Sequence, residues 1–233
     1  MARKKGISSA DRKLNIGGSF LLLFALLLAA VKFIDVKPVG PEGSEVGLAA
    51  LNGAVHGLLG FHPVIYRVSS AAGILVLLMV PAFAALGLFQ LVQRRSLFKV
   101  DADILALGGL YAVTALVYVL FEKVVINYRP VILDEGLEAS FPSTHTMLAV
   151  VICGSAATEA LYRIRDRKKR EMTVDVLTIL MLVTVIARLI SGVHWLTDIL
   201  AGLLMGLSLF FFYAAAMDAL AESQKGRSGR KER

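Results

Sequence analysis

The strongest constraint on this chain is an alternation of long apolar runs with blocks of charge. Each run is about 20 residues or more, enough to cross the hydrocarbon core of a bilayer as a helix. A soluble domain spreads its charges along the sequence. Here 57% of the 233 residues are hydrophobic, the mean hydropathy is +0.70, and the charges collect between the runs. Backbone polar groups in hydrocarbon must be satisfied within the protein, which leaves helices or closed barrels, and runs of this length read as helices. The expected fold is all-α: a polytopic membrane protein, built as a six-transmembrane-helix bundle. The spans fall at about 15–34, 64–92, 102–125, 143–162, 174–190 and 195–217. The second is longer than a bilayer requires and is expected to tilt. One domain, 15–217, is expected between a basic amino-terminal segment, 1–14, and a basic tail, 218–233.

Charge then sets orientation. Arg3, Lys4, Lys5, Arg12 and Lys13 precede the first span, and Arg94, Arg95 and Lys99 follow the second. Arg163, Arg165, Arg167, Lys168, Lys169 and Arg170 follow the fourth, and Lys225, Arg227, Arg230, Lys231 and Arg233 form the tail. Six spans put these 19 of the 25 basic residues on one side. By the positive-inside rule both termini are cytoplasmic. The net charge of +7 follows from this retention and needs no nucleic acid partner. Adding or removing a span would scatter the blocks. The first run is too long for the core of a cleaved signal peptide and reads as a span. Cys153 is the only cysteine, so no intrachain disulfide forms.

The first outer connection, 35–63, is broken early by Pro38, Gly40, Pro41 and Gly43. Ser44 is then expected to cap a helix running to Leu59, with Asn52 and His56 on one face. It reads as an interfacial helix on the outer leaflet or as a packing helix. His56 and His62 read as interface histidines, and Trp195 and Tyr128 as members of the aromatic belt.

With this topology the outer polar residues gather at three places. Lys123, Arg129 and Pro130 follow the third span. Ser143, Thr144 and His145 open the fourth, and Arg188, His194 and Asp198 lie between the fifth and sixth. Ionisable groups at span ends are costly to desolvate and are functional candidates by default.

These stretches resemble the type 2 phosphatidic acid phosphatase (PAP2) family of integral membrane lipid phosphatases. The resemblance rests on Lys123 with Arg129-Pro130, on Pro142-Ser143-Thr144-His145, and on Ala187-Arg188, Gly192, His194 and Asp198, in the family's order. It implies hydrolysis of lipid phosphate or diphosphate esters through a phosphohistidine. His194 is then the nucleophile, Asp198 its orienting partner and His145 the acid that protonates the leaving oxygen. Lys123, Arg129, Ser143, Thr144 and Arg188 are the implied phosphate-binding residues, with guanidinium forks suited to paired oxygens. Three departures stand out. Lys123 is one residue nearer to Arg129 than the family's lysine, and Glu122 occupies that register. One residue on a helix is a rotation of about 100°. Ala187 stands where the family has serine, and Thr144 where it has glycine.

No compact set of outer carboxylates suits a metal, so a metal-independent reaction without cofactor is expected. The partners are the lipid phosphate and the bilayer. Phosphatidic acid, phosphatidylglycerol phosphate and undecaprenyl diphosphate are the implied substrates, the last suiting an outward-facing site. A phosphotransferase using the same phosphohistidine, or a non-catalytic scaffold or transporter, are the competing readings.

Overall fold

The computed structural model describes residues 7–133 and 136–231, with side chains to residue 223. Arg3, Lys4, Lys5 and Arg233 lie outside the described residues, as do the side chains of Lys225, Arg227, Arg230 and Lys231. Among the described residues there are eight α-helices: α1 (Ser9–Phe33), α2 (Ala49–Leu59), α3 (Pro63–Leu77), α4 (Met79–Arg94), α5 (Ala102–Lys123), α6 (Thr144–Arg163), α7 (Arg167–Ile190) and α8 (Leu196–Lys231). No strand occurs among the described residues. Helices α3 and α4 make one span interrupted at Leu78, which gives six apolar segments long enough to cross a membrane. The interruption has a local cause. Pro81 has no N–H to offer the carbonyl of Leu77, one turn earlier.

Side-chain caps set the start of two helices. Ser8 caps α1 by accepting from the Asp11 amide at 3.0 Å, and Asp166 caps α7 by accepting from the Lys169 amide at 2.8 Å. Helix α7 therefore starts in the basic block at Arg167, before the expected 174. Helix α8 runs on well past residue 217.

Helices α6 and α8 form the centre. Gly202 and Gly206 of α8, four residues apart, let the two backbones approach, the usual role of small residues in membrane helix pairs. A Cβ on Gly202 would stand 2.5 Å from the Ser143 carbonyl, and one on Gly206 would meet Val150 at 2.9 Å. Helix α1 lies along α8, with Lys13 paired to Asp218 at 2.8 Å. At that same end Arg163 of α6 reaches Asp103 at 2.6 Å, Asp101 at 3.3 Å and Glu159 at 2.7 Å. Tyr213 of α8 donates to the buried Glu159 at 2.7 Å. A carboxylate this deep is tolerated because a cation and a hydroxyl satisfy it. The knot fixes α5, α6 and α8 at the end bearing the termini. The loops at the other end are thus held on a rigid frame.

One expectation for the connection between α1 and α3 needs correction. Ser44 does not cap the helix: the turn at Pro41–Gly43 intervenes, and α2 starts at Ala49 behind Leu48, whose φ is 49°. Of the two readings of this helix, packing against the bundle is what its contacts favour. Asn52 is fully buried, donates to Thr197 Oγ1 at 2.9 Å and to the Gly47 carbonyl at 2.8 Å, and accepts from the Thr197 amide at 3.2 Å. Leu51 and Leu58 stay exposed on its outer side.

Close packing at Gly202 has a measurable consequence. Gly202→Ala should destabilise the protein by about 1–3 kcal/mol through overpacking. Thermal unfolding in detergent should show a midpoint lowered by several degrees. Gly108→Ala, where a Cβ meets nothing within 4 Å, should leave the midpoint unchanged or higher.

Candidate active site

The site is assembled from two loops and three helix ends at the end of the bundle away from the termini. Helix α7 stops at Ile190, and Gly192 adopts φ 70°, a left-handed conformation that suits glycine. Its Cβ position is also filled by the Gly60 carbonyl. The His62 amide donates to the Ser191 carbonyl at 3.0 Å, so the outer connection clasps this turn. The turn lets Arg188, the last-turn residue of α7, and His194 face one pocket.

The second loop, between α5 and α6, doubles back on itself. Tyr128 pairs with Ala139 in an antiparallel bridge, the Arg129 amide donates to Glu138 at 3.0 Å, and the Ser140 amide donates to Asn127 at 2.9 Å. Phe141 anchors this loop in the core against Phe24 and Phe121, with ring centroids at 6.0 and 6.3 Å. Trp195, only 3% exposed, donates from Nε1 to the Tyr128 carbonyl at 2.8 Å. Trp195 is therefore a buried tie between the two loops, not a belt residue. His56 stacks edge-on against it at 5.4 Å, and burial lowers the pKa of His56. His62 lies exposed, bonded to the Leu59 carbonyl at 2.7 Å.

Asp198, in the first turn of α8, has no exposed surface. Its Oδ2 accepts from Ser140 Oγ at 2.5 Å and from the Trp195 amide at 3.0 Å, and Asn127 Nδ2 approaches Oδ1 at 3.4 Å. His194 Nδ1 lies 3.8 Å from Asp198 Oδ2, too far for a hydrogen bond, but 2.9 Å from Ser140 Oγ. His194 itself is 4% exposed. Its pKa is held well below the ordinary value of 6.5, first by burial and then by the positive charges of Arg129 and Arg188. A neutral imidazole follows.

His145, on the first turn of α6, is within electrostatic reach of Arg188, His194 and Arg129. Gly73 of α3 makes room for its ring: a Cβ there would stand 2.7 Å from His145 Cδ2. Arg188 is 1% exposed and lies over the Tyr66 ring at 5.3 Å, a cation–π contact that holds the guanidinium. Arg129 Nε stands 3.1 Å from Glu138 Oε2, an ion pair without hydrogen-bond geometry. Arg129 Nε, Arg188 Nε and Nη1, His145 Nδ1 and His194 Nε2 are all buried, and none makes a hydrogen bond to the described residues. Buried polar atoms are nearly always paired in folded proteins. Their concentration here marks a site built for a polar, anionic group.

The residues expected from sequence do not all converge. Arg129, Thr144, His145, Arg188, His194 and Asp198 meet at this end. Ser143 is fully buried, its hydroxyl 3.0 Å from Thr146 Oγ1 and its amide donating to the Asp198 carbonyl at 2.9 Å. It ties α6 to α8. Lys123 is exposed at the end of α5 and does not line the cavity beside the group. Glu122, one residue earlier, lines the cavity with Arg129, Thr144 and His145. Helix α5 ends at Lys123, and Val124 already lies outside helical geometry. Ser140, Asn127 and Tyr66 were not singled out from sequence. No motif marks a serine or asparagine whose role depends on a loop folding back.

From this polar end a cavity of about 420 Å³ opens between α3, α5 and α6. Its walls are apolar, including Val76, Leu77, Val80, Leu148 and Ile152. Among the described residues no group of three or more His, Cys, Asp or Glu stands close enough to hold a metal ion.

Comparison with known proteins agrees with this architecture. Residues 70–221 match the PAP2 superfamily, and the chain belongs to it. The crystal structure of a PAP2-type phosphatidylglycerolphosphate phosphatase from Bacillus subtilis is similar, with a TM-score of 0.61 and 21% identity over 85% of this chain and 94% of that one. The crystal structure of Aquifex aeolicus LpxE aligns with a TM-score of 0.41 and 20% identity over 71% of this chain and 93% of that one. No curated protein matches in sequence. The protein is a multi-pass membrane protein with the PAP2 phosphatase fold.

The two cationic candidates can be separated by anion binding. Arg188→Ala should weaken binding of inorganic vanadate or phosphate by more than tenfold, since a buried guanidinium supplies paired donors. Lys123→Ala should change it much less. Equal losses would bring Lys123 into the clamp.

Proposed function

We propose that the protein is a phosphatase acting on lipid phosphate or diphosphate esters at the outer membrane face, through a phosphohistidine on His194. The observation that carries this is the set of buried polar atoms without hydrogen-bond partners on Arg129, Arg188, His145 and His194 beside an apolar cavity. A phosphate with a long hydrocarbon tail matches both halves of that surface.

Phosphate ester hydrolysis has a very high uncatalysed barrier, and charge neutralisation with alignment lowers it. Arg129 and Arg188 bind the non-bridging oxygens, helped by amides at the positive end of α6 beside Thr144. The neutral His194 attacks phosphorus through Nε2 while the bond to the leaving oxygen breaks. His145 gives that oxygen its proton. Water then attacks the phosphohistidine, His145 takes the proton, and inorganic phosphate leaves with His194 restored. The tail lies in the cavity between α3, α5 and α6, within the depth of the membrane. The basic residues flanking the other end support cytoplasmic termini, and hence an outward-facing site.

Phosphatidic acid, undecaprenyl diphosphate and phosphatidylglycerol phosphate, the last named for the Bacillus subtilis enzyme, are the substrates to test. Purified protein in detergent with EDTA should release phosphate from at least one of them, and His194→Ala should remove that activity. The nucleophile is neutral because its pKa is depressed. Activity governed by His194 should therefore persist as pH falls through 6.5 and decline only below it. Activity that needs added Mg²⁺, or that survives in His194→Ala, would overturn the reading.

A further inference from the structure

Resting on that reading, we propose that Ser140 is a positioning residue: its hydroxyl relays between His194 and Asp198 and fixes which imidazole nitrogen attacks. The geometry begins with a gap. His194 Nδ1 and Asp198 Oδ2 are 3.8 Å apart, so the carboxylate does not hold the ring directly. Ser140 Oγ fills the gap, 2.5 Å from Oδ2 and 2.9 Å from Nδ1. Ser140 is 2% exposed, so bulk water does not compete for either bond.

A hydroxyl has one proton and two lone pairs. Oδ2 already accepts from the Trp195 amide, so it faces Ser140 as an acceptor, and the serine proton goes to it. Only a lone pair remains for the imidazole. Nδ1 must then carry the proton, which leaves Nε2 with its lone pair free. Nε2 is the buried ring atom without a hydrogen bond, in the pocket with the two arginines. The relay therefore aims the nucleophilic nitrogen at the phosphate position.

The same bonds serve the covalent step without moving a proton. When Nε2 bonds to phosphorus and the leaving oxygen takes the bonding pair, the ring becomes a cation still protonated at Nδ1. Ser140 keeps accepting that proton's hydrogen bond and keeps donating to Asp198. The carboxylate charge thus stabilises the imidazolium through the hydroxyl. The loop supports this placement, since Phe141 is anchored in the core and the Ser140 amide is bonded to Asn127.

Two measurements test the relay. The first is the ¹⁵N NMR tautomer of His194 in detergent, which needs no turnover. Unaltered protein should be protonated at Nδ1 and bare at Nε2, and Ser140→Ala should give a mixture. The second is kinetic. Ser140→Ala should lower kcat by roughly 10–100-fold, the usual effect of losing a partner that orients an imidazole. KM should stay within about threefold, because the arginines are untouched, and Ser140→Thr, which keeps the hydroxyl, should recover much of kcat. A wild-type His194 protonated at Nε2, or a Ser140→Ala protein with unchanged tautomer and kcat, would overturn the proposal. The expected tautomer in a protein that releases no phosphate from any lipid would count against the phosphatase reading and leave the relay standing.

Discussion

Asp198 is a carboxylate with no exposed surface at the edge of an apolar bundle, and its hydrogen bonds organise everything around it. Such a group is tolerated only when nearby donors replace water. Here they come from Ser140, Trp195 and Asn127, on two loops separated by a whole helix pair. The Asp198 carbonyl also accepts the Ser143 amide, which fixes the start of α6. Satisfying one buried charge therefore sets the loop after α5, the first turn of α6 and the turn before α8. His145 and His194 are carried on those same pieces. Structural need and the alignment of the site are the same set of bonds.

Around this point the molecule divides its chemistry by depth. The end bearing the termini is closed by Arg163 among Asp101, Asp103 and Glu159, and by Lys13 with Asp218. The middle is apolar, with α6 and α8 in close contact at Gly202 and Gly206. The far end collects Arg129, Arg188 and the two histidines above an apolar cavity. A guanidinium in this setting is weakly hydrated and held by Tyr66, so little reorganisation is needed when an anion arrives. The arrangement suits an amphiphile whose head is charged and whose tail remains at membrane depth.

Much of this was legible in the sequence, for physical reasons. Apolar runs of bilayer length leave few alternatives to helices, and blocks of arginine and lysine fix their count. The order of Arg129, His145, Arg188, His194 and Asp198 at span ends made the site recognisable. What escaped depended on contacts distant in sequence. Ser140 stands 54 residues from His194 and 58 from Asp198, and only the folded loop gives its hydroxyl a role. Trp195 reads as a belt residue until the Tyr128 carbonyl is seen to receive its N–H. Ser44 reads as a helix cap because no residue type announces the Lys37–Val46 bridge that closes the turn and delays α2 to Ala49. Lys123 shows the limit of register: at the last turn of α5 it is Glu122, one residue earlier, that lines the cavity.

The central claim is that phosphate is transferred through His194. Rapid mixing with a ³²P-labelled lipid phosphate, followed by alkaline quench and peptide mapping, tests it most directly. A phosphoramidate survives base and is lost in acid. Acid-labile label is expected on the peptide carrying His194, appearing before free phosphate and absent in His194→Ala. Label on Ser143, or full turnover without any covalent phosphate, would contradict it.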